Sequence, residues 1–214
     1  MVTMGMELSQ RADGNSLDVA ARAAAGGCMK TVTVEQFKSF RPCWLETAKG
    51  RKRFARISAI RNEWTALDVL NLPDVSVQDK FWSVLREEFI EAPILHEFAC
   101  RCAEYSLSFV ASPDPRSIVA IEAKRKWLRG EITDAELYAT RDAAWYAAGD
   151  AVSRATRDAV IAAANRAERD SAWYAAKAAA WYAAKAATWS DESNTTWDAA
   201  SKHEVEILRE LLEE

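Results

Sequence analysis

Apolar residues recur at helical spacing along most of this chain, and cap and stop signals divide the pattern into segments. Thr33 and Gln36 make a capping box, Phe37 faces inward behind it, and Pro42 stops the segment. A second helix is predicted over Thr65 to Asn71, ending before Pro73. Ser76 with Asp79 opens a third, whose face holds Phe81, Trp82, Leu85 and Phe89. Pro93 sits where a first-turn proline is tolerated, ahead of Leu95, Phe98, Ala99, Cys102 and Leu107 on an inward face that runs to about Val110. Asp114 and Pro115 start the next helix, which carries Ile118, Ile121 and Trp127 and stops at Gly130. After Trp189, the polar run Ser190 to Asn194 reads as a turn. A final helix from about Thr195 presents Trp197, Val205, Leu208 and Leu212. No alternating run of four or more residues competes with these helical patterns. The expectation is an all-α fold: a front domain of short helices packed against a long Ala-rich helix or helical hairpin, with a C-terminal helix.

The Ala-rich stretch runs from Thr133 to Trp189, with no proline and one glycine, Gly149. Alanine loses no side-chain entropy on ordering and is the best helix former. Thr133 and Glu136 supply its capping box. Tyr138, Trp145, Val152 and Ala159 sit seven apart, with Ala148, Ala155 and Ala162 on the flanking seam, and this heptad-like face places Trp145 in the core. The phase is lost between Arg166 and Ser171, where a bend, a break or a change of packing partner is expected. Beyond it lies a perfect tandem repeat: Ala172 to Ala179 and Ala180 to Ala187 both read AWYAAKAA. An eight-residue step advances about 80° past whole turns, so Trp173 and Trp181 do not share one stripe. Either two neighbouring helices flank this segment, or part of its aromatic surface is open. The second alternative makes Trp173, Tyr174, Trp181 and Tyr182 candidate partner-binding aromatics.

Composition narrows the picture. Half of the 214 residues are apolar, which is enough for one good core, and only 7 glycines and 5 prolines argue against a turn-rich β fold. No window of about 18 apolar residues exists to span a membrane. Arg11, Asp13, Asp18 and Arg22 interrupt any N-terminal apolar core, so a cytoplasmic location is expected. The four cysteines, Cys28, Cys43, Cys100 and Cys102, are too irregular for a disulfide framework. Residues 1–28 are small and polar, end in Gly26-Gly27 and precede Met29. They read as a mobile N-terminal extension, with a short helix over Leu17 to Ala25 as the alternative. Residues 29–132 then make the front domain and 133–214 the Ala/Trp-rich tail packed on it.

The net charge of −4 exerts no overall pull on nucleic acid, but it is unevenly spread. Lys38, Arg41, Lys49, Arg51, Lys52, Arg53, Arg56 and Arg61 face one acid, Glu46. Taking that +7 from the total leaves −11 elsewhere. The segment reads as a solvated basic face or as an anion- or partner-binding site built on Lys49, Arg51, Lys52, Arg53 and Arg56. His96 and Cys100, four apart, fit one side of a metal site only if Cys43 joins them, and the spacing matches no closed zinc pattern. His203 has no sequence partner. The chain carries no Gly-rich phosphate loop, nucleophile elbow or HExxH. Glu87, Glu88 and Glu91 read as a solvated helix face. No metal, no cofactor and no enzymatic activity are expected.

Four pieces, MKTVTVEQFKSFRPC, WTALDVLNLPDVSVQDKFWSVLREEF, LHEFACRCAEYSL and DPRSIVAIEAKRKWLRGEITDAELYATRDAAWYAA, follow one another in an order that resembles the alanine-rich immunity proteins of bacteria and phages. The likeness covers Met29 to about Ala148, and the tail only in composition. It implies an inhibitor that acts by binding a toxin or, for a phage factor, a host defence protein, and it brings no catalytic residues. The alternative is a binder of nucleotide or nucleic acid that uses the basic segment and the tail aromatics. A weaker one is self-association through the Ala-rich helix.

Overall fold

The computed structural model describes residues 30–73, 75–110, 112–146, 158–164, 174 and 193–214. Among these residues the fold is all-α, with one small sheet. Two three-residue strands, β1 (Thr31–Thr33) and β2 (Glu63–Thr65), pair antiparallel, with Val32 opposite Trp64. Both of those side chains are buried. Each strand hands directly into a helix through its last threonine. Thr33 caps α1 (Val34–Ser39), and its hydroxyl accepts from the Gln36 amide while the Gln36 side chain accepts from the Thr33 amide. Thr65 caps α3 (Ala66–Leu70) in the same way with Asp68. Burial works against the Asp68 carboxylate, but the Thr65 amide and hydroxyl and the Arg61 guanidinium hold its pKa below the usual carboxylate range. Strands this short show no alternation, so a helical pattern hides them.

Between the two strand–helix units lie a 3₁₀ turn (Cys43–Glu46) and α2 (Ala48–Ser58). Then follow α4 (Val77–Val84), α5 (Ala92–Ser108), α6 (Pro115–Leu128), α7 (Asp134–Trp145) and α8 (Ser193–Glu213). The predicted caps are in place: Ser76 on α4, Asp114 with Pro115 on α6, and the Thr133–Glu136 box on α7. Gly130 ends α6 at φ +72°. Its amide donates to Trp127 O and that of Glu131 to Lys126 O, the paired bonds of a Schellman turn. Gly130 is there because only glycine takes that backbone region without strain.

The main core gathers Val32, Leu70, Phe81, Val84, Leu85, Phe98, Ala99 and Ile121 with Val205, Leu208 and Leu211 of α8. Residues 158–163 are helical and add Ala159, Val160 and Ala163 to it. Arg209 of α8 donates to Asn71 Oδ1 at 2.7 Å, tying that helix to the end of α3. These parts belong to one unit, Met29–Leu212.

Three positions depart from the predicted faces. α4 stops at Val84, and Phe89 reaches the core from the turn that follows, whose amides at Phe89 and Ile90 donate to Arg86 O. Ile118 is 42% exposed, because α6 buries the stripe Ser117, Ala120, Ile121 and Lys124. Trp145 is 50% exposed and not core, because α7 buries Leu137 and Ala144 instead. That is a one-residue change of phase, about 100° of helix rotation. The small Ala144 lets α7 lie close on its neighbour, and the indole next to it turns outward. The expectations for residues 1–28, the break after Arg166 and the octad repeat lie outside the described residues.

Candidate functional site

The most basic element, α2, is fixed at its start by close packing. Thr47 caps it, accepting from the Gly50 amide at 3.0 Å while its own hydroxyl donates to Trp44 O at 2.8 Å. Gly50 lies so close to that turn that a Cβ there would sit 1.8 Å from Trp44 O. Arg51 folds back and donates to Glu46 O at 2.7 Å and Leu45 O at 3.3 Å. Its charge thereby serves the carbonyls of the 3₁₀ turn. Arg53 is half-buried and lies 3.8 Å from Asp79 Oδ2. Lys38 stands over the Phe54 ring at 5.8 Å. Arg61 bonds Asp68 at 2.7 Å and stacks on Trp64.

Lys49, Lys52 and Arg56 differ from these. All three are exposed, and none has a partner among the described residues. Their spacing of three and four sets them on one face of α2. Thus, of the five basic residues singled out from sequence, two are engaged within the protein and three form an outward stripe. Of the aromatic candidates, Tyr174 is 56% exposed. Trp173, Trp181 and Tyr182 lie outside the described residues.

The opposite face of α2 covers an apolar pocket. Phe37, Trp44 and Phe54 stand 5.5 to 6.0 Å apart, centre to centre, along its wall. Val32, Ile57, Trp64, Val69, Leu72 and Phe89 complete much of the lining. The pocket is small, with a cavity volume of about 40 Å³, and it opens to solvent.

A second polar group sits between α5 and α6 and is closed. Arg125 donates to both oxygens of Glu97, at 2.8 and 3.0 Å, and also to Glu104. Burial opposes its charge, but Glu104 and Glu97 outweigh that and raise its pKa. Arg101 lies 3.5 Å from Glu97. Burial, with Glu97 nearby, pushes the Cys100 thiol up to about 12, so it is no nucleophile at neutral pH. His96 is buried edge-on to Trp127 at 5.8 Å, and the fully buried Lys124 holds its ammonium 4.1 Å from the same ring. Among the described residues no three potential ligands gather around a metal position.

Glu204 of α8 is a further group that the sequence did not single out. It is fully buried, neither carboxylate oxygen has a hydrogen-bond partner among the described residues, and burial pushes its pKa up to about 8. Burial raises the pKa of the Cys102 thiol and of the Tyr105 phenol, and the nearby Glu204 carboxylate adds to both. His203 is exposed and lies against Tyr105, 4.0 Å between ring centres. The pocket also had no linear motif. The one signal for it was the density of aromatics, Phe37, Phe40, Trp44, Phe54 and Trp64, in and beside the basic segment. No helix among the described residues is long and apolar enough to cross a membrane. No family model matches the chain, and no curated protein or solved structure matches it either.

Proposed function

We propose that this chain is a cytoplasmic, non-enzymatic binding protein that inhibits an acidic protein partner by occupying its surface. The observation that carries this reading is the stripe of Lys49, Lys52 and Arg56, three exposed cations with no partner among the described residues, on a helix anchored by Thr47, Gly50 and Arg51. A rigid helix that presents like charges in a row repels itself unless something opposite meets them. The resemblance to immunity proteins supports an inhibitory role, with a toxin or a host defence factor as the partner. Buried, unpaired thiols at Cys100 and Cys102 fit a reducing compartment.

A phosphate-bearing ligand is the competing occupant of the same three cations, and salt separates the two. Phosphate contacts release counterions, so nucleic-acid affinity falls by orders of magnitude between about 50 and 200 mM salt. A protein interface with an apolar centre loses far less. The test is capture from host lysate on the immobilised chain across that salt range, with proteins and nucleic acids both identified. Retention of one protein throughout is expected. Retention of nucleic acid alone, lost as salt rises, would overturn the reading.

A further inference from the structure

We infer that this chain pairs with a second copy of itself, the basic stripe of α2 on one copy meeting an acidic stripe of α8 on the other. This goes beyond the partner reading: the pair is a resting form, in which each copy covers the other's binding face until a partner displaces it.

The acidic stripe is built like the basic one. Glu206, Glu210 and Glu213 of α8 are exposed, and none has a partner among the described residues. They stand four and three residues apart on one face of their helix, as Lys49, Lys52 and Arg56 stand three and four apart on α2. Each stripe runs about 10.5 Å along its axis, at about 1.5 Å per residue. Laid antiparallel, the two have the same spacing, so Lys49 meets Glu213, Lys52 meets Glu210 and Arg56 meets Glu206. Laid parallel, the middle pair falls out of step by a residue. No other helix among the described residues presents three unpaired carboxylates on one face. The acids of α5 are held by Arg125, and those of α7 by Thr133, Trp127 and Arg141.

The two helices are neighbours around the start of α4. Asp79 of α4 lies 3.8 Å from Arg53 of α2. At the next residue, burial and then the charge of Arg209 on α8 lower the pKa of the Lys80 ammonium. Arg53 and Arg209 are thus the cations that these helices turn to the protein, and no ion pair joins the two outward stripes among the described residues. Exposed Ala48 and Ala55 flank the cations of α2 and put no bulk in the way of a second helix. Neighbouring helices with opposite outward charge make a self-complementary face, and one two-fold rotation brings each basic stripe on to the other copy's acidic stripe. Exposed ion pairs are individually weak, so the pairing falls with salt and yields to a better-fitting partner.

The experiment is sedimentation equilibrium of the full chain at about 10 mM and about 1 M salt, where charges act over about 30 Å and about 3 Å. A dimer is expected at low salt and a monomer at high salt. Two charge reversals follow: Lys49→Glu, Lys52→Glu, Arg56→Glu on α2, and Glu206→Lys, Glu210→Lys, Glu213→Lys on α8. Each alone is expected to associate at least about tenfold more weakly at low salt, because like charges then face each other. An equimolar mixture of the two is expected to regain the dimer, since every stripe again meets its opposite. If a triple reversal does not fold, Lys52→Glu mixed with Glu210→Lys decides in the same way. A wild type that is monomeric at low salt, a reversal that dimerises alone as the wild type does, or a mixture that stays monomeric overturns the inference. Partner capture fails separately. The α8 reversal leaves α2 intact and is expected to keep or raise capture, whereas the α2 reversal loses it. Loss of capture by the folded α8 variant overturns the competition between copy and partner.

Discussion

Helices α2 and α6 are both rich in arginine and lysine, and they treat charge in opposite ways. On α6, Arg125 is clasped by Glu97 and Glu104, and Lys124 is buried against Trp127. On α2, Arg51 and Arg53 are turned to the protein, but Lys49, Lys52 and Arg56 have nothing opposite them among the described residues. The packing differs in the same sense. α6 presses Ala120, Ile121 and Ala123 into closed core, whereas α2 rests over an open pocket. Matched charges over dense packing hold a fold together. Unmatched charges over loose packing add little to stability, and they are what a binding surface needs before its partner arrives.

The sharpest way to break that contrast is to unmatch α6. Arg125→Met leaves buried Glu97 with only the longer contact to Arg101 and should cost about 3–5 kcal/mol, the usual penalty for breaking a buried pair from one side. Urea unfolding measures it, and a loss under about 1 kcal/mol would place the cluster among ordinary surface ion pairs. The next test separates the two faces of α7. Leu137→Ala should cost about 2–5 kcal/mol, and Trp145→Ala, at an exposed position, well under half of that. Equal costs would return Trp145 to the core.

Helix starts and stops were legible because caps are local chemistry. Thr33, Thr65, Ser76, Asp114, Thr133 and Gly130 each do what their neighbours imply. Helix phase was less legible. An Ala-rich segment has apolar atoms on every side, so Tyr138–Trp145 and Leu137–Ala144 are equally good stripes until a neighbour chooses between them. The strands fell below the length at which alternation shows. The basic segment was visible as composition, but which of its cations are free was not. Arg51 and Lys52 are adjacent and chemically alike, and only the return of the chain at Glu46 and Leu45 engages the first of them. The pocket draws its walls from 32 to 89, and no local pattern encodes such an assembly.

Glu204 sharpens the comparison from a third direction, as a buried carboxyl with no cation to match it among the described residues. Its folded pKa near 8 lies above the ordinary 4.5, so the folded state prefers the protonated form. Its contribution to stability is therefore fully present below about pH 4.5 and is lost as pH rises through 8, by up to about 1.4 kcal/mol per pH unit. Glu204→Gln should remove that slope, melting above the wild type at pH 8 and level with it near pH 4. Parallel melting curves across this range would show that the carboxylate is satisfied in solution. The smallest effect is expected at Arg41, which holds φ +52° just before Pro42. Arg41→Gly should relieve that strain and stabilise by about 0.5–1 kcal/mol in urea unfolding.

The central claim is that the three outward cations of α2 are surplus to the fold and serve a partner. It is tested most directly by making Lys49→Glu, Lys52→Glu and Arg56→Glu together, then measuring urea unfolding and partner capture on the same preparation. The account predicts an unfolding free energy within about 1 kcal/mol of the wild type, as for exposed substitutions, and loss of the captured protein. A variant that unfolds, or one that captures the same protein as well as the wild type does, would contradict it.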